Sequence, residues 1–269
     1  MEIVVDNTET VSSRKNAKVR FLRQLLREKS TRDEHGVFAV EGDHLCGELV
    51  RSGLKITFAA YTEKAAEKYP GTAALLKENA KELAVITEDI SEYISDTKSP
   101  QGLFAAAEIR GRHGSEGSVF GSSAGRIVIL DGIQDPGNVG TIFRTSEALG
   151  IDGAVLLGAC ADVWSPKTLR ASMGSVFRLP FLNCGPEELS ELLPDFTLFA
   201  AMLDKSAKKL GEVKFPEKSA VVIGSEGAGI SAKVAGLCKE KIYIPIEKAE
   251  SLNAAIAAAI ILWELRTRL

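Results

Sequence analysis

The sequence predicts two α/β domains in tandem, the second and larger one built on a mostly parallel sheet. Three observations carry this expectation. The chain has 269 residues, close to the size at which a single hydrophobic core stops growing and chains divide. Short apolar runs alternate with stretches of helical period along most of its length. Residues 111–125, GRHGSEGSVFGSSAG, hold five glycines and four serines with only Val119 and Phe120 to bury, too little to repay ordering entropy. The expected division is a domain over 1–110, a linker over 111–125 and a second domain over 126–269.

In the first domain, residues 12–32 carry eight basic side chains against one acid, Glu28. Val19, Leu22, Leu25 and Leu26 recur there at helical spacing, so the stretch reads as an amphipathic helix with a basic outer face. A strand over 37–40 follows, then a helix over 43–51 that ends near Gly53. A strand over 56–61, a helix over 73–83, a short strand at 85–86, a helix or turn over 90–95 and a strand over 102–109 complete the domain. The second domain restarts with a strand over 126–130 and a helix over 139–149. A strand over 154–157, a helix over 166–174 and an apolar position at Phe181 come next, then strands over 198–202, 220–223 and 241–244. A closing helix over 252–267 is apolar on every face, which predicts burial throughout.

Composition limits what the chain can be. Hydrophobic residues make up 45% and charged residues 26%, with a net charge of −3, which excludes wholly disordered, collagenous and coiled-coil chains. There is no apolar run long enough to span a bilayer and no signal-like N-terminus, so no membrane partner is expected and the cytoplasm is the expected compartment. Cys46, Cys160, Cys184 and Cys238 are scattered, without CxxC or a histidine at ligand spacing, so neither a disulfide framework nor a metal is expected. The acidic average argues against nucleic acid, but +7 within residues 12–32 conceals a surface suited to phosphate.

Three segments that follow strands and lead towards helices are rich in glycine or small polar residues, and ligands of open α/β sheets bind at such strand ends. In LDGIQDPGNVGTIFR, Asp135 to Asn138 read as a turn, Asn138 as an N-cap, and Arg144 lies six residues into the helix. In AVVIGSEGAGIS, Gly224, Gly227 and Gly229 surround Glu226. Their spacing is G-x-x-G-x-G, neither a dinucleotide fingerprint nor a phosphate-binding P-loop, so a cofactor without phosphate fits better. In IYIPIEKAESLNAAIAAAIILWEL, Ser251 is a candidate N-cap and Asn253 lies in the first turn.

Together, N-x-G-x-x-x-R, G-S-E-G-x-G and I-P-x(6)-S-L-N-x(4)-A, in this order, resemble the three motifs of the SpoU, or TrmH, family of RNA ribose methyltransferases. The resemblance covers about residues 126–269, including LRASMGSVFRLP over 169–180. The preceding domain looks like the ribosomal-protein-like substrate-binding domain of many members, on its size, its α/β pattern and its basic start.

The resemblance implies S-adenosylmethionine-dependent methylation of a ribose 2′-hydroxyl in structured RNA, rRNA ahead of tRNA, by a homodimer joined through the C-terminal domain. It implies a parallel sheet with a deep trefoil knot. It gives the central catalytic role to Arg144, surrounded by Asn138, Glu226, Ser251 and Asn253. It places Leu203, Gly224, Glu226, Gly227, Ile244 and Leu252 around the cofactor. Arg14, Lys15, Lys18 and Arg170 are the RNA-binding candidates, Arg170 reaching its own or the partner subunit's site. The alternatives are a tRNA methyltransferase and a non-catalytic RNA-binding protein of the same fold. A base-methylating knotted relative would lack the N-x-G-x-x-x-R and S-L-N pair, and a dinucleotide-dependent oxidoreductase would need the missing fingerprint.

Overall fold

The computed structural model describes residues 10–109, 120 and 125–267. The described residues form two compact units, one drawn from Met1–Arg110 and Trp164–Phe177, the other from Gly111–Val163 and Arg178–Leu269.

The first unit runs α1 (Ala17–Arg27), α2 (Lys29–His35), β1 (Val37–Glu41), α3 (Asp43–Arg51), β2 (Ile56–Tyr61), α4 (Glu63–Lys68), α5 (Pro70–Asn79), β3 (Leu83–Val85), α6 (Glu88–Ile94) and β4 (Leu103–Glu108). Its sheet has the order β1-β4-β2-β3. β4 pairs antiparallel with β1 and β2, and β3 lies parallel to β2. The Asn16 side chain caps α1, whose Val19, Leu22, Leu25 and Leu26 pack with Phe58 and Phe104 of the sheet and Ile90 and Ile94 of α6. The helix expected over 73–83 is α5, which starts earlier and ends at Asn79, and α4 precedes it where no helix was expected. Thr62 caps α4 through its hydroxyl, and Pro70 at the first position of α5 supplies a φ preset for a new start. α2, which apolar periodicity did not reveal, stops at Gly36 with φ +64°.

The second unit begins with β5 (Arg126–Asp131), α7 (Pro136–Ala148) and β6 (Gly153–Leu157). After α8 (Pro166–Ser172), which lies in the first unit, come β7 (Phe181–Cys184), α9 (Leu189–Leu192), β8 (Thr197–Ala201), β9 (Lys208–Lys209), β10 (Ser219–Gly224), α10 (Ala232–Leu237), β11 (Glu240–Tyr243) and α11 (Ala254–Thr267). The sheet order is β7-β6-β5-β10-β8-β11-β9, and every pairing is parallel. The α/β class and the larger parallel sheet are as the sequence predicts. β5 and β10 are almost wholly buried, which is why both read as continuous apolar runs rather than alternating ones.

Two expected caps and one burial pattern differ. α7 starts at Pro136 and is capped by Asp135, not Asn138. α11 starts at Ala254, and Asn253 rather than Ser251 accepts the free amides, from Ala255 at 3.0 Å and Ile256 at 3.3 Å. The burial expected all round α11 fails on one face. Ala254, Ala255, Ala258, Ile261, Leu262 and Leu265 are buried, whereas Ile256, Ile260 and Trp263 are 51%, 38% and 53% exposed. The spacing of these three, i, i+4 and i+7, makes a single apolar stripe.

The segment Trp164–Phe177 packs within the first unit. Phe38 of β1 lies between its two ends, with ring centroids 4.4 Å from Trp164 and 5.6 Å from Phe177. Among the described residues, no helix is long and apolar enough to cross a membrane and no cluster of side chains is placed to hold a metal.

Candidate functional site at the strand ends of the parallel sheet

β5, β10, β8 and β11 are neighbours, and their carboxyl ends are level. Gly224 lies opposite Asp131, Ile223 opposite Ala201, and Ile242 also opposite Ala201. The segments after these strands, 132–135, 225–231, 202–207 and 244–253, therefore leave one edge of the sheet. The three motif segments and the Leu203 loop are all among them.

Asn138 joins the motifs. Its backbone amide donates to Asp135 Oδ1 at 3.0 Å, so Asp135 does the capping and the Asn138 side chain is left for other partners. Its Nδ2 donates to Glu226 Oε1, and its Oδ1 accepts from Asn253 Nδ2 at 3.0 Å. Asn253 uses its own Oδ1 to cap α11. One half-buried amide thus ties the turn after β5, the glycine-rich loop after β10 and the start of the last helix.

The glycine-rich loop folds back on itself. Ser225 N donates to Gly229 O at 3.2 Å and Gly229 N to Ser225 O at 2.9 Å, leaving Glu226, Gly227 and Ala228 exposed at the tip. A Cβ on Gly224 would run into the backbone of Gly229 and Ile230, so glycine is required by close approach. Gly229 has φ +67°. Beyond the tip Ile230 is buried, and the Ser231 amide donates to Asp131 Oδ2 at 2.7 Å. Sequence reasoning missed Asp131, although an acid ending the buried run RIVIL was the available signal. It anchors the far side of the loop.

The remaining candidates take different places. Arg144 sits six residues after Asn138, about 120° around the helix. It is exposed and forms no ion pair among the described residues. Ser251 is exposed and makes no hydrogen bond among them, while Leu252 and Ile244 are half-buried. The backbone amides of Ile244 and Leu252 donate to no group in the described residues. Leu203 is 66% exposed and lines an open depression with Asp204, Lys205 and Tyr243. The Ser206 hydroxyl, then Lys241, hold the Asp204 carboxyl well below the usual carboxylate range, with Ser206 Oγ at 2.6 Å and Lys241 Nζ at 2.9 Å.

These groups fit a sulfonium nucleoside. Gly224 lets backbone approach closely, free amides at Ile244 and Leu252 can meet adenine or ribose, and Leu203, Ile244 and Leu252 give apolar contact. No phosphate-cradling loop competes with that assignment.

The basic stretch is less free than its sequence suggests. Arg14 pairs with Asp89, which raises its guanidinium pKa, and Lys18 pairs with Glu82. Arg23 donates to Tyr93 O, and Arg27 Nη2 donates to Ser95 O at 2.9 Å. Arg32, 4% exposed, donates to Leu25 O at 2.6 Å. Lys15 and Arg20 are the exposed cations of this stretch whose side chains make neither an ion pair nor a hydrogen bond among the described residues. The expected basic outer face is a mixed one, because Asp89 and Tyr93 O of α6, Ser95 O just after it and Glu82 before β3 take up part of the charge. Arg170, on α8, donates to Asp96 Oδ2 at 3.0 Å.

Comparison with known proteins accords with this geometry. Residues 125–263 match the SpoU rRNA Methylase family and residues 16–105 the MRM3-like substrate binding domain. The chain is 30% identical over 259 residues, 95% of its length and 98% of the relative's, to the Bacillus subtilis (strain 168) protein named 23S rRNA (guanosine(2553)-2′-O)-methyltransferase RlmP. Its structure resembles the AdoMet-bound rRNA methyltransferase from Sinorhizobium meliloti, with TM-score 0.84, 28% identity and coverage of 97% and 98% of the two chains. It also resembles the SpoU methyltransferase AviRb from Streptomyces viridochromogenes in complex with AdoMet, with TM-score 0.83, 26% identity and coverage of 94% and 97%. With a family match across half of the chain and a relative aligned almost end to end, the chain belongs to the SpoU rRNA methylase family.

Proposed function

We propose that this chain methylates the 2′-hydroxyl of one nucleotide in large-subunit rRNA, with S-adenosylmethionine as the methyl donor. The observation that carries the reading is the Glu226–Asn138–Asn253 network at the level ends of four parallel strands. When bound, S-adenosylmethionine supplies an electrophilic methyl group on a sulfonium centre. Leu203, Gly224, Glu226, Gly227, Ile244 and Leu252 hold it by backbone and apolar contact.

The chain's own work is positioning and charge. The ribose oxygen must lie in line with the methyl group and lose its proton, and placement of this kind can supply several kcal/mol. Arg144, exposed and without an ion pair among the described residues, binds the target phosphate and stabilises the alkoxide as it develops. A guanidinium with a free pKa of about 12.5 or more is a poor base, so the proton passes to a neighbouring group or to water. Asn138 and Asn253 fix Glu226 and the loop around the reacting groups, and Ser251 stands beside them.

Relatives named as 23S rRNA enzymes and a matched substrate-binding domain favour rRNA over tRNA, and a cytoplasmic site accords with that substrate. The exposed stripe of Ile256, Ile260 and Trp263 supports a homodimer joined through α11. The trefoil knot belongs to the same reading.

Transfer of labelled methyl to total rRNA and tRNA tests it. Label in large-subunit rRNA is expected. Label confined to tRNA would replace the substrate, and no transfer despite cofactor binding would leave an RNA-binding protein of the same fold.

A further inference from the structure

Resting on that reading, we infer that Asp96 is a positioning residue for Arg170, and that a loop braced by Glu41 aims this arginine at an RNA phosphate from the substrate-binding unit. Both residues lie in the first unit. Arg170 Nη2 donates to Asp96 Oδ2 at 3.0 Å, and the two side chains are 39% and 33% exposed. One carboxylate oxygen therefore occupies one edge of the guanidinium. An arginine has five donors in a rigid fork, so its other edge stays available for a phosphate.

The loop that presents Asp96 is built rather than draped. Glu41 Oε1, at the end of β1, accepts from the hydroxyls of Ser95 at 2.6 Å and Thr97 at 2.8 Å. Glu41 Oε2 accepts from the Asp96 amide at 3.1 Å, and Arg27 Nη2 holds Ser95 O from α1. Ser95 is buried, so the loop root is fixed while Asp96 and Lys98 face solvent. On the arginine's side, Trp164 and Phe177 pin the ends of its segment to Phe38. An isolated exposed ion pair adds little stability, so bracing on both sides has a better account in holding a long side chain in its binding geometry before RNA arrives. Lys98, exposed and without an ion pair among the described residues, adds positive charge to the same loop.

The test uses the full chain, transcribed 23S rRNA and labelled S-adenosylmethionine. Asp96→Ala should raise the KM for rRNA about threefold to fivefold, the range of one exposed charge contact, with kcat and calorimetric cofactor affinity unchanged. Asp96→Glu should recover part of the loss, and Glu41→Gln, which loosens the loop, should reproduce it in part. In an Arg170→Ala background, Asp96→Ala should add nothing. An equal further loss there would overturn the inference, since Asp96 would then act through another group. A lowered KM for Asp96→Ala would overturn it as well, because the carboxylate would be competing with the RNA. If the unaltered chain transfers no methyl to rRNA, the functional reading itself falls and takes the inference with it.

Discussion

Asn253 donates through Nδ2 to Asn138 Oδ1 at 3.0 Å while its Oδ1 caps α11 through the amides of Ala255 and Ile256. The two ends of one amide thus have separable duties, one to the helix and one to the site. Asn253→Asp keeps an excellent cap and removes the donor. The expected result is a melting temperature close to that of the unaltered protein and a clear fall in methyl transfer. Asn253→Ala should lose both, at a stability cost of about 1 kcal/mol for the cap. Thermal melts beside transfer assays check the pair of outcomes.

Arg144 is exposed and without an ion pair among the described residues, so replacing it should change stability by no more than about 0.5 kcal/mol. Arg144→Lys keeps the charge but loses the planar fork. Methyl transfer at saturating rRNA should fall by at least about tenfold, the loss of a few hydrogen bonds to developing charge, with cofactor affinity preserved. Near-normal turnover of Arg144→Lys would remove it from the reaction centre.

Gly224 and Gly227 differ in the space around them. A side chain at Gly224 meets the backbone of Gly229 and Ile230, whereas nothing lies near a Cβ at Gly227. Gly224→Ala should therefore cost about 1 to 3 kcal/mol by overpacking and abolish measurable S-adenosylmethionine binding by displacing the loop. Gly227→Ala should leave the melting temperature unchanged. Differential scanning fluorimetry with and without cofactor separates the two.

The stripe of Ile256, Ile260 and Trp263 predicts self-association, because apolar surface of this kind on one helix face is favoured by burial. Light scattering after gel filtration should give a dimer for the unaltered chain. Ile256→Lys with Ile260→Lys should give a monomer that keeps its helical circular dichroism. A monomeric unaltered chain at micromolar concentration would contradict the proposed interface.

The strands of the parallel sheet were readable because burial on both faces removes alternation and leaves runs such as Arg126–Asp131 and Ser219–Gly224. Helix starts were harder. Asp135 and Asn138 can both cap, and Pro136 settles the choice by starting α7 ahead of Asn138; only then does the Asn138 side chain become free to bind Glu226. An all-apolar helix does not disclose which face meets its own core and which meets solvent, so the exposure of Trp263 was not readable. Asp96 with Arg170, and Asp131 with Ser231, are each separated by many residues. Local spacing carries no record of such pairs. The three motifs were readable as a set, while the hydrogen bonds that join them needed the fold.

Alkaline hydrolysis of rRNA methylated by this chain with labelled S-adenosylmethionine tests the central claim most directly. Strand cleavage in alkali needs a free 2′-hydroxyl, so ribose methylation protects the adjoining phosphodiester. The predicted result is label recovered in an alkali-resistant dinucleotide from a single position of large-subunit rRNA, and lost in Arg144→Ala. Label released wholly in mononucleotides would mean methylation of a base, and would contradict the assignment of the strand-end site to ribose chemistry.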